Sequence, residues 1–202
     1  MATGRYIALE GAEGCGKSTQ AGRLALHLDA VLTRETGGTP IGQRIRAILH
    51  DTTVTDLAPR SEALLTAADR AQHISQVVRP ALASGRHVVS DRSVYSTLAY
   101  QGFGRGLAID EVRRINDWAI DGCWPDIVVL LDVEPSVLSA RMADRELDRF
   151  EREAASFHER VRTGFHQLAS DEPERWVVID GSGPEDLVAE QIRRALDERI
   201  GL

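Results

Sequence analysis

Arg5-Tyr-Ile-Ala-Leu-Glu-Gly-Ala-Glu-Gly-Cys-Gly-Lys-Ser-Thr19 is the stretch that decides the fold. Residues 5–10 read as a short buried strand around the apolar run Tyr6-Ile-Ala-Leu9. Gly11-Ala-Glu-Gly-Cys-Gly16-Lys17-Ser18 then fits GxxxxGK[ST] at every fixed position. A helical run from Lys17 to about Leu28 follows. Strand, glycine-rich turn and helix come in the order that aims backbone N–H groups and a helix N-terminus at a phosphate chain. Gly11, Gly14 and Gly16 let the backbone curl, Ala12 and Glu13 complete the turn, and Cys15 reads as a filler of a small-residue slot. Lys17 is expected to reach the β- and γ-phosphates of a nucleotide. Ser18, next to Thr19, is expected to offer its hydroxyl to a Mg²⁺ that keeps most of its waters.

Outward from this motif the chain keeps the same rhythm. Strand signals recur at 30–34, 87–90, 126–132 and 176–180, of which Asp126-Ile-Val-Val-Leu-Leu-Asp132 is the clearest. Helical spacing fills 41–49, 61–82, 94–99, 109–120, 136–143 and 184–200, and resumes after the charged stretch 144–153 to about Ala169. Short continuous apolar strands alternating with helices predict an α/β fold, a parallel sheet covered by helices on both faces. With 202 residues and no repeat or linker, a single domain spanning 1–202 is expected.

Composition narrows the function. The net charge of −7 implies no broad basic surface and hence no nucleic-acid partner. Cys15 and Cys123 form no CxxC or Cys/His cluster, which argues against a disulfide framework and a zinc site. No apolar run approaches the roughly 18 residues of a membrane span, and no signal-peptide pattern opens the chain, so a cytoplasmic location is expected. Of the 24 basic residues one is lysine, Lys17 of the phosphate loop, leaving 23 arginines. A guanine-reading segment would need a second lysine, so the GTPase class is excluded. A motor or transporter ATPase would pair its strand-end Asp with a catalytic Glu, which Asp132-Val133-Glu134 matches poorly. A small kinase remains, in which arginines clamp phosphate. Arg92 follows a strand end, and Arg141, Arg145, Arg149 and Arg152 have the spacing of one helical face.

Longer motifs carry a resemblance. Glu10–Thr19 resembles the phosphate loop of the thymidylate kinases, and Thr33-Arg-Glu-Thr-Gly-Gly-Thr-Pro-Ile-Gly42 resembles their TREPGGTPxG loop. Leu64-Leu-Thr-Ala-Ala-Asp-Arg-Ala-Gln-His73 resembles LLFAADRAQH. Ser90-Asp-Arg92 and Leu98-Ala-Tyr-Gln-Gly-Phe-Gly-Arg-Gly-Leu107 resemble the DRY segment and its sequel, and Glu146-Leu-Asp-Arg-Phe-Glu151 resembles the lid. The resemblance implies a five-stranded parallel sheet in a P-loop nucleoside monophosphate kinase core, a small lid at about 141–153, and usually a homodimer. It implies ATP and dTMP as substrates, with Mg²⁺. The phosphate loop has no arginine after Glu13, which resembles the bacterial type, where the lid supplies a catalytic arginine. Arg145 is the first candidate for that role, with Arg141 and Arg149 as alternatives beside ATP.

By position, the resemblance makes Lys17, Arg92 and Glu13 catalytic, with Glu13 near the acceptor sugar and, like Ser18, near the metal. Arg70 would meet the thymine edge and Thr97 would lie beside the base. Tyr100 would pack under the deoxyribose, and Thr66, Gln101 and Arg34 would complete the acceptor site. The alternatives to these roles are Arg70 as an exposed partner of Asp69 and Tyr100 as a core residue, and motif position favours the site reading for both. Asp91 could act as base in a hydroxyl kinase. A nucleotide-binding protein without turnover is a further alternative, against which Lys17, Ser18 and Arg92 stand. Four positions depart from the family pattern: Thr66 stands for a base-stacking Phe, Ser93 for the DRY tyrosine, Tyr95 for an Asp, and Thr36 for the loop proline. Two readings follow: either Tyr95 or Phe103 replaces the stacking ring, or specificity shifts toward another pyrimidine monophosphate.

Overall fold

The computed structural model describes residues 4–143 and 146–202. Its five parallel strands are β1 (Tyr6–Gly11), β2 (Val31–Arg34), β3 (Val88–Asp91), β4 (Ile127–Asp132) and β5 (Trp176–Asp180), in the order β2-β3-β1-β4-β5. The expected α/β sheet is therefore present, with strands within one residue of the sequence reading. β1 lies between β3 and β4, so the chain reverses its direction of winding there. Ligands of open α/β sheets bind beyond the carboxyl ends of strands at such a point. Leu9 is in register with Asp91, and Gly11 with Leu131, which gathers those strand ends at one edge.

Alternate residues serve the two faces, as the pleat dictates. Val128 and Leu130 join Ala8 and Trp176 in one core with Phe157, Val161 and Phe165. Ile127, Val129 and Leu131 join Ile7 and Leu9 in the other, with Leu24, Ile192 and Leu196. The second core rests on α1 (Lys17–His27) and α9 (Glu185–Ile200), the first on α8 (Ala155–Asp171). α2 (Pro40–His50) starts with Thr39 Oγ1 accepting from Gly42 N at 3.0 Å and Pro40 in the first turn, the usual opening of a helix.

Two helices deviate from simple spacing. The 61–82 reading covers α3 (Pro59–His73), a π-helical turn at Ile74–Val78 and α4 (Arg79–Ala83). Pro80 has no N–H to give and crowds the preceding turn, and a widened turn before it relieves both. Likewise α5 (Val94–Thr97) runs into a second π-helical turn, Leu98–Gly104, where the spacing predicts an end at Ala99. α8 lies close on that turn. A Cβ on Gly164 would sit 2.6 Å from the Phe103 ring, and one on Gly104 2.6 Å from Phe157. α6 (Ile109–Ile120) packs against α3, and α7 (Pro135–Met142) ends at the start of the lid. The single helical face expected for Arg141, Arg145, Arg149 and Arg152 is therefore not formed: Arg149 and Arg152 lie in a turn. Arg145 lies outside the described residues.

Candidate active site

The loop between β1 and α1 takes its shape from its glycines. Gly11 has φ 141°, and a Cβ there would lie 2.5 Å from the Leu131 carbonyl oxygen. Gly16 caps α1 at φ 97°, open to glycine at little cost. Lys17 is buried across the loop, its Nζ donating to the Ala12 carbonyl at 2.7 Å and lying 3.6 Å from Cys15 Sγ. Ser18 Oγ donates to Asp91 Oδ2 at 2.5 Å, tying the start of α1 to the end of β3. A hydroxyl and a carboxylate paired beside a phosphate loop are the hard oxygen donors that suit Mg²⁺.

Arg92 follows β3 with φ 74°, a region that costs a non-glycine residue about 1–2 kcal/mol. Hydrogen bonds hold it there: its N–H donates to Leu9 O at 2.9 Å, and Ser90 Oγ donates to Arg92 O at 2.7 Å. Its guanidinium donates to the Gly11 carbonyl at 3.3 Å, to Ser96 Oγ at 3.0 Å, to Tyr100 Oη at 3.2 Å, and to Glu13. One side chain thus touches the phosphate loop and Tyr100 together. Burial would push the Glu13 carboxyl up, but the charges of Arg92 and Lys17 outweigh it and hold it below its ordinary value. Burial also raises Glu10, which accepts from Ser93 and Ser96 beneath Arg92. Arg34 and Arg46 border the same cleft. Burial, then the charges of Arg34 and Arg92, hold the Arg46 guanidinium below its ordinary range. Three arginines repelling one another around a cleft are relieved by an anion.

The rest of the cleft, about 430 Å³ in all, reaches α3, α5 and the second π turn. Arg70 is 2% exposed. It donates to Glu35 Oε2 at 2.8 Å, to the Ser93 carbonyl at 3.2 Å, to Thr97 Oγ1 at 3.0 Å, and to Asn116. Glu35 is held in turn by His73 Nδ1 at 2.8 Å. Burial raises Glu35, and Arg70 and His73 together bring it below its ordinary value. Arg70 is thus fixed at the wall, not the exposed partner of Asp69. Tyr100 is both core and lining, its ring edge-on to Phe150 at 6.0 Å. Thr66 also lines the cleft and donates its hydroxyl proton to the Ala63 carbonyl at 2.8 Å.

The family model described as thymidylate kinase matches residues 9–192. Among curated relatives, the thymidylate kinase of Halothermothrix orenii is 47% identical over 98% of this chain and 96% of its own. That of Clavibacter sepedonicus is 48% identical over 95% and 93%. The chain belongs to the thymidylate kinase family. A crystal structure of the thymidylate kinase from Ehrlichia chaffeensis superposes with a TM-score of 0.80 at 30% identity, covering 96% of this chain and 99% of that one. The fold is that of the P-loop nucleoside monophosphate kinases, and the activity of the family is ATP-dependent phosphoryl transfer.

The thymidylate kinase positions read from the sequence separate into two groups. Glu13, Gly14, Gly16, Lys17, Ser18, Thr19, Arg34, Thr66, Arg70, Arg92, Thr97, Tyr100, Gln101 and Arg141 all line one cleft. Gly11, Ala12 and Cys15 support it from the loop. Ser18 is paired with Asp91 and Glu13 with Arg92, so the two expected metal neighbours are bonded to different partners. Arg141 donates to the carbonyls of Gly181 and Ser182 at 3.1 and 3.2 Å. Arg149 turns elsewhere, onto Glu62 at 2.6 Å and the Leu49 carbonyl at 2.7 Å.

Neither ring offered as a substitute stacker reaches the cleft. Tyr95 is fully buried between Trp124 and Trp176, its hydroxyl donating to Glu172 at 2.5 Å. Phe103 is pressed on Gly164. The aromatic rings of the lining are Tyr100, His50 and Phe150. Arg46 was not legible as a site residue, although it lies three residues before buried Leu49 and four after buried Gly42. An arginine in register with the apolar face of a helix is the signal that could have pointed to it.

Proposed function

We propose that this chain transfers the γ-phosphoryl group of ATP to dTMP, giving ADP and dTDP. The observation that carries the reading is Arg92, which donates to the loop carbonyl of Gly11 and to Tyr100 Oη from one guanidinium. A side chain that spans phosphate loop and acceptor wall is placed to hold both phosphates in line. The loop and Lys17 bind the donor phosphates. Arg34, Arg46 and Arg92 take the acceptor phosphate, and Arg70, Thr97, Gln101 and Tyr100 form the wall for the pyrimidine nucleoside. Ser18 and Asp91 would hold Mg²⁺, which supplies charge neutralisation at the β- and γ-oxygens when bound. A phosphate monoester has its second pKa near about 6, so the acceptor needs no general base at neutral pH. Asp91, with its carboxylate already bonded to Ser18, is accordingly assigned to the metal and not to a hydroxyl substrate.

The protein is proposed to work in the cytoplasm as a homodimer. Leu64 on α3 and Trp118 on α6 are 55% and 86% exposed on two helices that pack together. Large exposed apolar side chains on neighbouring helices suit a self-associating face. Activity with ATP across dTMP, dUMP, dCMP and UMP tests the assignment: dTMP should give the highest kcat/KM, and preference for another monophosphate would reassign the acceptor.

A further inference from the structure

Glu62 is 0% exposed on α3, yet its carboxylate is fully used. Oε1 accepts from Gln101 Nε2 at 2.9 Å and Arg105 Nε at 3.1 Å. Oε2 accepts from Arg105 Nη2 at 3.0 Å and Arg149 Nη2 at 2.6 Å. Burial would raise this carboxyl, but the bonds from Arg105 and Gln101 hold it below its ordinary value. Arg149 comes from the lid. Its Nε donates to the Leu49 carbonyl at 2.7 Å, and its guanidinium lies 4.5 Å from the centre of the Phe150 ring. Arg105 covers the same ring at 5.9 Å and pairs with Glu153 of the lid at 2.5 Å. Leu49, Gln101 and Phe150 all line the cleft, while Arg149 itself does not. The Arg149 guanidinium therefore meets two cleft walls directly, Leu49 and Phe150, and a third, Gln101, through the Glu62 carboxylate.

We propose that Arg149 is a positioning residue, a latch that fastens the lid to Glu62 and sets Phe150 as a wall of the acceptor end of the cleft. This reading rests on the acceptor end being the one lined by Tyr100 and Gln101. It gives the lid arginines separate tasks. Arg149 aims its Nε and Nη2 at Leu49 and Glu62 and lies outside the cleft lining, so phosphate contacts fall to the other arginines. Because Glu62 holds Gln101 and Arg149 on its two oxygens, closing the lid and shaping the acceptor wall are one event. Charge-assisted bonds to a buried carboxylate are the strong kind, and their loss frees the segment that depended on them.

The test compares Arg149→Met with Arg152→Ala, a neighbouring exposed lid arginine that, among the described residues, bonds the Leu147 carbonyl. Arg149→Met leaves Glu62 paired with Arg105 and Gln101, so the core stays satisfied. Amide hydrogen exchange of residues 146–153 is read first, in the nucleotide-free protein. The latch predicts exchange about ten- to a hundredfold faster in Arg149→Met and unchanged in Arg152→Ala. Kinetics are read second: KM for dTMP should rise about tenfold in Arg149→Met with kcat within about twofold, and Arg149→Lys should recover part of it. A variant that merely lowered stability would reduce the active fraction and leave KM for dTMP in place. Unchanged exchange at 146–153 in Arg149→Met overturns the latch, whatever the activity. Faster exchange with an unchanged KM overturns the link to the acceptor wall. Failure of the wild type to use dTMP would instead overturn the substrate assignment, and the exchange comparison would still decide the latch.

Discussion

Arg92 donates to Gly11, Ser96 and Tyr100 from one planar fork, and a lysine ammonium cannot repeat that geometry. Arg92→Lys should keep the fold and lower kcat by about 10²–10³-fold, the usual loss when a preorganised charge is removed from a transferring group. Steady-state kinetics beside a circular dichroism melt would check it; wild-type kcat would show that Arg92 is not in the reaction path. Tyr95 gives the opposite expectation. Its hydroxyl bonds Glu172 and receives Arg175 Nη1 at 2.8 Å, and its ring faces Trp124 and Trp176. Tyr95→Phe should lower stability by about 1–2 kcal/mol and leave KM for dTMP unchanged. A tenfold rise in that KM would return Tyr95 to the site. At this scale the sequence was readable wherever a motif fixed both residue and spacing, as for Lys17, Ser18, Arg70 and Arg92. It was silent where direction decides: nothing in the order Ser93-Val-Tyr95 tells that the ring points away from the cleft.

The elements explain why direction was hidden. Two π-helical turns, at Ile74–Val78 and Leu98–Gly104, shift every later side chain around its helix, and a 3.6-residue reading cannot register the extra residue. Phe103 is turned to α8 in this way and meets Gly164. Gly164→Ala would place a Cβ 2.6 Å from that ring, so a loss of about 1–3 kcal/mol in chemical denaturation is expected. Equal stability would mean that α8 does not sit so close. The lid departs from helical spacing for a different reason. Residues 148–153 form a turn organised by Asp148, whose carboxylate accepts from the amides of Phe150 and Glu151 and pairs with His50 at 2.7 Å. Burial would raise Asp148, but His50 and those amides bring it down to about 2. Its folded value lies below the unfolded one, so its stabilisation is complete above about pH 4 and is lost as pH falls toward 2. The melting-temperature lead of wild type over Asp148→Asn should therefore be full at pH 7 and narrow between about pH 4 and 2. A lead independent of pH over that range would contradict the assignment.

For the whole molecule, five apolar runs and one glycine loop were enough to read the sheet, its layers and the edge that carries the glycine loop, because a buried parallel strand leaves little alternative to its composition. The strand order was not in the pattern; it came from structure, and it sets the loop at the reversal beside β1. Charge repeats the division. The chain is acidic at −7 overall, while Arg34, Arg46, Arg70, Arg92 and Arg141 border one cleft, which concentrates positive charge at the site proposed for the anionic substrates. Trp118, 86% exposed on α6, belongs to this scale as well: Trp118→Glu should yield monomers by light scattering if that face joins two copies, and an unchanged mass would place the interface elsewhere. The central claim, phosphoryl transfer from ATP to dTMP in this cleft, is tested most directly by coupled ADP release with wild type and Lys17→Met under Mg²⁺. Rapid dTMP-dependent ADP release by wild type, lost in Lys17→Met, is the result expected. Absence of dTMP-dependent release by wild type, or equal turnover in the two proteins, would contradict it.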